Sequence, residues 1–177
     1  MSVIRIEDIA HVRYAAPDLK AMREFLEDFG MQVFEDRGRI YGKGSDGRPF
    51  VHVTEPGEAK FLAVGFRAQS RADLELLAAH EGVAVEPLNE PGGGAIVRLT
   101  DPDGYAVEVV AGQTNGEPGT LLPDQLFNTA SAKPRFRKTV RLEPAPAHVR
   151  RIGHAVLKVS DFRRSEKWYK DRFGFLT

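Results

Sequence analysis

The sequence contains no cysteine, which excludes disulfides, thiolate zinc sites and cysteine nucleophiles together. It has no surplus of either charge, since 25 Lys and Arg residues offset 25 Asp and Glu residues. A protein that binds nucleic acid without regard to sequence carries a basic excess to neutralise phosphates, so no nucleic-acid partner is expected. Long apolar runs are also missing. The wholly apolar stretches are a few residues long, against the roughly 20 residues of a membrane-spanning helix. The N-terminal MSVIRIEDIAHVRY places Arg5, Glu7 and Asp8 where a secretion signal needs an unbroken apolar core. These absences point to a soluble, cytoplasmic protein with no membrane partner. What remains is 177 residues, 42% hydrophobic and 28% charged, enough for one ordinary domain and a little more.

A repeat organises the chain. Ile9-Ala-His11 followed by Asp18-Leu19 aligns with Ile152-Gly-His154 followed by Asp161-Phe162, at one constant offset. Phe25 then matches Trp168, Asp28 matches Asp171, and Phe29-Gly30 matches Phe173-Gly174 after a one-residue insertion. Each copy reads as a short strand, an Asp that caps the orphan N–H groups of a helix, an amphipathic helix, and a Gly that closes it. In the first helix Leu19, Met22, Phe25, Leu26 and Phe29 recur at three- and four-residue spacing and form one apolar stripe.

A weaker copy lies between these two. Phe61–Phe66 reads as a strand, Ser70-Arg-Ala-Asp73 as a capping start, and Ala72–Glu81 as a helix stopped by Gly82. Val83–Val85, Ala95–Leu99 and Tyr105–Val110 follow as β-rich runs separated by Pro91-Gly-Gly-Gly94 and Asp101-Pro-Asp-Gly104. Pro91–Gly94 lacks the ending and the helix of a phosphate loop and reads as a turn. The first copy has the same order, with a strand at 9–15, a helix at 19–29 and strands near 31–36, 39–43 and 49–54. The chain therefore reads βαβββ, βαβββ, then the βα start of a third unit. Residues 112–150, rich in proline and glycine with a basic stretch Lys133–Arg141, read as a connector.

The repeat, the strand-borne His and the segment Asp101-Pro-Asp-Gly-Tyr-Ala-Val-Glu108 resemble the vicinal oxygen chelate superfamily, which includes glyoxalase I, bleomycin-resistance proteins and type I extradiol ring-cleavage dioxygenases. The resemblance implies an α+β fold in which paired βαβββ modules build a curved mixed sheet. It covers residues 1–111 as a complete two-module domain, leaves 112–150 as linker, and makes 151–177 the truncated start of a second such domain. Two modules followed by two more is the layout of the extradiol dioxygenases, whose N-terminal pair is a scaffold.

The resemblance further implies that His154 is the first metal ligand of an intact enzyme using Fe(II) or Mn(II), with a second His and a Glu beyond Thr177. Two imidazoles and a carboxylate on one face leave open positions for a catechol-like aromatic substrate and O₂. The residues expected to act on substrate would also lie beyond Thr177, so the chain is expected to be inactive alone. Within the first domain, His11, His52 and Glu108 make an alternative metal set, while Phe61 occupies a position where the superfamily can place a ligand and cannot bind one. The plainer reading of these residues, hydrogen-bonded groups lining a concave sheet, is preferred.

Two rivals stand beside this reading. One is a glyoxalase-type isomerase or lyase using the first domain; the other is a non-catalytic small-molecule binder of the bleomycin-resistance kind. An unfinished third unit cannot bury the apolar face of its helix, so disorder after about residue 150 or pairing with a second copy, hence a homo-oligomer, is expected.

Overall fold

A computed structural model of the chain describes residues 2–119, 128–135 and 147–176. Eight strands form one mixed sheet, in the order β2-β3-β4-β1-β5-β8-β7-β6. The first module comprises β1 (Ile6–Ala16), α1 (Leu19–Asp28), β2 (Gln32–Asp36), β3 (Arg39–Lys43) and β4 (His52–Pro56). The second comprises β5 (Lys60–Ala68), α2 (Arg71–Glu81), β6 (Glu86–Pro87), β7 (Ala95–Thr100) and β8 (Ala106–Ala111). In each module the first strand lies parallel to the last: β1 on β4, and β5 on β8. The modules join where β1 and β5 pair antiparallel, with Val12 opposite Val64 and His11 opposite Gly65. The two βαβββ modules expected from the sequence are thus present, joined at the middle of one curved sheet.

The helix starts follow the capping pattern. Asp18 and Ser70 accept hydrogen bonds from the N–H groups of Ala21 and Asp73, and Gly82 closes α2 in the left-handed conformation. One boundary differs from the sequence reading. Val83–Val85 does not form a strand, because the Val83 N–H is still bonded to the Ala78 carbonyl at the helix end; the strand begins at Glu86. The main core lies between the second module's sheet and α2, where Val64, Phe66, Val97, Val107 and Val109 meet Leu74 and Leu77. Among the described residues no helix is long and apolar enough to cross a membrane.

Of the connector, residues 120–127 and 136–146 lie outside the described residues, and with them most of the basic stretch Lys133–Arg141. Beyond it the chain departs from expectation. Residues 152–158, expected as a strand, run without ladder partners among the described residues, although inward Ala155 and Leu157 alternate with outward Val156 and Lys158. The following helix α3 (Phe162–Phe173) is neither disordered nor uncovered. It lies on the first domain, with Phe173 1% exposed in the main core and Trp168, Tyr169 and Phe175 packed around it. The apolar face therefore finds its cover within the chain, on β5 and beside α2. Phe162 and Val156, on the other side, stay 62% and 85% exposed.

Candidate functional site

Register decides which candidate residues can meet. His11 on β1 stands opposite Gly65 on β5, which stands opposite Glu108 on β8, which stands opposite Arg98 on β7. Side chains in one such row point to one face. Gly65 has no side chain to separate the outer two, and a Cβ there would run into the His11 ring. His11 Nε2 consequently reaches Glu108 Oε2 at 2.6 Å, with the imidazole fully buried and Glu108 6% exposed. An ionised carboxylate only accepts, so the ring carries its proton on Nε2 and Nδ1 is left buried without a hydrogen-bond partner.

Val12 lies in the neighbouring row, opposite Val64 and His52, and that row faces the helices. His52 is therefore on the opposite side of the sheet from His11 and Glu108. Its ring stacks on Tyr14 with centroids 5.5 Å apart, and its Nε2 lies 2.7 Å from the Thr54 hydroxyl. Burial lowers its pKa to about 4, so the ring is neutral at pH 7. Phe61 pairs with Tyr14 on this same side. The alternative set of His11, His52 and Glu108 is thus divided between two faces. Glu55, in register with Ala15, is the β4 carboxylate that shares the face of His11.

The residue that organises the concave face is Arg13, 6% exposed and two positions after His11. Its guanidinium donates to Glu55 at 2.8 Å, to Glu90 at 2.9 Å and to Glu108 at 3.1 Å. Arg39 bridges Glu90 and Glu55 at 3.3 and 3.4 Å, and Arg98 joins Glu86 at 2.5 Å and Glu108 at 3.6 Å. These groups wall a cup of about 280 Å³. Burial alone would raise the Glu108 carboxyl, but the hydrogen bond from His11 and the charge and hydrogen bonds of Arg13 outweigh it and hold it near pKa 2. The same carboxylates raise the Arg13 pKa, so its charge is permanent.

A divalent cation does not fit this arrangement. The carboxylate oxygens that would bind it are already turned onto a fixed guanidinium, and the second imidazole is on the other face. Among the described residues no group of three or more His, Asp or Glu side chains is placed to hold a metal ion.

His154 is exposed and stands apart from this cup, on the extended segment beyond the connector. It lies at the mouths of cavities of about 450, 480 and 320 Å³. The first is walled by Phe66, Leu157, Tyr169 and Phe175, and the last is shared with His52 and with Phe29, the residue that ends α1. Among the described residues His154 belongs to no group of three or more His, Asp or Glu side chains placed to hold a metal ion. The residues that sequence reasoning missed are Arg13, Glu55 and Glu90. Arg13 carried a signal, since period-two alternation from His11 puts it on the same face. Glu90 carried none, because it lies in the loop after β6.

Comparison with known proteins agrees with this geometry. The family model described as Glyoxalase/Bleomycin resistance protein/Dioxygenase superfamily matches residues 8–109. The Mn(II)-bound glyoxalase from Novosphingobium aromaticivorans is 28% identical, with a TM-score of 0.60, over 67% of this chain and 43% of that one. Homoprotocatechuate 2,3-dioxygenase from Brevibacterium fuscum, in complex with 3,4-dihydroxyphenylacetate, is 24% identical with a TM-score of 0.58, over 66% of this chain and 40% of that one. The 2,3-dioxygenase LapB from Pseudomonas sp. KL28 is 21% identical with a TM-score of 0.56, over 66% and 44%. The matched part thus spans less than half of each of these proteins. No curated protein sequence matches the chain.

Proposed function

The chain belongs to the Glyoxalase/Bleomycin resistance protein/Dioxygenase superfamily, and from that premise we propose that it is the supporting N-terminal part of an extradiol dioxygenase-like protein that opens a catechol-type ring with O₂. In this reading residues 1–111 are scaffold, 112–150 connect, and 151–177 begin the pair of modules that carries the chemistry. The observation that carries the proposal is the ion network of the concave face: Arg13 engages Glu55, Glu90 and Glu108 and so ties up the carboxylates of the first pair. His154, by contrast, is exposed on a segment with no ladder partner among the described residues, which supports a role outside the first pair. His154 is proposed as one ligand of an Fe(II) or Mn(II) centre whose other ligands come from the remaining modules. A single histidine is not a metal centre, and no reaction step is assigned to this chain's residues.

The 3,4-dihydroxyphenylacetate held by the Brevibacterium fuscum enzyme makes a substituted catechol the first substrate to try. The likeness to a Mn(II)-bound glyoxalase favours a second reading, an isomerase that uses no O₂. Oxygen uptake separates them. The test is O₂ consumption with 3,4-dihydroxyphenylacetate by Fe(II)-loaded protein carrying both pairs of modules. The dioxygenase reading expects turnover that His154→Ala abolishes and His11→Ala leaves within a few-fold. Turnover by residues 1–177 alone, lost in His11→Ala, would move the site to the first pair.

A further inference from the structure

The Asp101–Tyr105 turn between β7 and β8 does more than reverse the chain. Asp101 forms it: Oδ1 accepts from the N–H groups of Asp103 and Tyr105, both at 2.9 Å. Asp101 Oδ2 is free of that task and accepts from the Tyr169 hydroxyl of α3 at 3.0 Å. Asp103 points outward from the turn. Its Oδ1 accepts from the Ser160 N–H at 3.0 Å and meets the Arg164 guanidinium at 3.3 Å, while its Oδ2 accepts from the Ser165 hydroxyl at 3.1 Å. Ser165 is 4% exposed, so the helix's half of this contact is buried. Tyr105 donates from its hydroxyl to the Lys158 carbonyl at 2.9 Å. One short turn thus grips residues on both sides of the start of α3.

The other end of α3 is held separately. The N–H groups of Val3 and Ile4 donate to the Asp171 and Arg172 carbonyls, each at 2.9 Å, and the Arg172 guanidinium meets Glu81 at 3.1 Å. Upstream, Val149 is bonded through its N–H to Gly30 and through its carbonyl to Ser45. His154 lies between the anchors at Val149 and Lys158. Its place relative to the first domain is therefore set by that domain's own loops.

We infer that the Asp101–Tyr105 turn is a docking socket of the first domain for residues 158–169, and that it fixes where the segment bearing His154 stands. The polar contacts give the dock its direction, and burial of Phe173 beneath Trp168 and Tyr169 gives it area. Only the consequence for His154 rests on the proposed function; the dock itself does not.

The test is hydrogen exchange on the full 177-residue chain, with Trp168, its one tryptophan, as an independent fluorescence reporter of α3. Asp103→Ala removes the socket's half of the contact, and Ser165→Ala removes the helix's half without touching the turn. Each should speed exchange of the α3 amides about tenfold and red-shift Trp168, while the amides of β8 keep their protection. The double variant should match Asp103→Ala, because that change already removes the Ser165 bond together with the contacts to Ser160 and Arg164. Unchanged α3 protection in the double variant would overturn the socket. So would equal loss of protection in α3 and β8, which would make the turn a plain part of the sheet. Failure of the O₂ test above would leave this result standing and refute the dioxygenase reading instead.

Discussion

At the scale of the residue, the first pair of modules is governed by one buried cation. Arg13 balances Glu55, Glu90 and Glu108 in a setting where an unpaired carboxylate is costly. Arg13→Met should therefore cost about 3–5 kcal/mol in urea unfolding at pH 7, the usual loss on stripping one partner from a buried ion network. The sign of the pH dependence follows from Glu108, whose pKa of about 2 lies well below the ordinary carboxylate value of 4.5. Its contribution is complete above pH 4.5 and is lost as the pH falls towards 2. The deficit of Arg13→Met relative to the native chain should shrink across that window. A deficit that stays constant would mean that Arg13 acts by packing alone. The sequence exposed His11 and Glu108 as a pair of chemical groups, but it did not expose the guanidinium's partner Glu90, which arrives from a loop far along the chain. Nor could alternation say which face of β4 lines the cup. Only the β1–β4 register sends His52 to the helices and Glu55 inward.

At the scale of the element, the seam between β1 and β5 joins the modules, and Gly65 lets it close over a histidine. Gly65→Ala should push the His11 ring off Glu108 and cost about 1–3 kcal/mol, the range for overpacking a tight core. The His11 imidazole resonances should shift with it, since the 2.6 Å bond is lost. An Ala variant with native stability and native imidazole shifts would show that the seam has slack. Most elements were legible because their signals are local: Asp18 and Ser70 cap their helices, and the alternating valines of β8 mark its two faces. The strand expected at 152–158 was legible as a pattern and has no ladder partner among the described residues. Alternation records which faces a segment can bury, whereas a strand also needs neighbours to bond. The same reasoning failed for α3 in the opposite direction. Its apolar stripe was read as lacking cover, and the cover is the first domain's own core around Phe66.

At the scale of the whole molecule, the repeat places His11 and His154 at equivalent positions with opposite circumstances. One is sealed against a carboxylate in a finished pair of modules, and the other is exposed at the edge of the finished domain. Under the proposed function the first pair is scaffold and His154 is the group held out for metal. The most direct measurement is Mn(II) and Zn(II) stoichiometry on the 177-residue chain, prepared anaerobically and compared with His11→Ala and His154→Ala. The account predicts no stoichiometric binding, with any weak association lost in His154→Ala and kept in His11→Ala. Stoichiometric binding that His11→Ala or Glu108→Gln abolishes would contradict it, and would return the metal to the concave face that Arg13 fills.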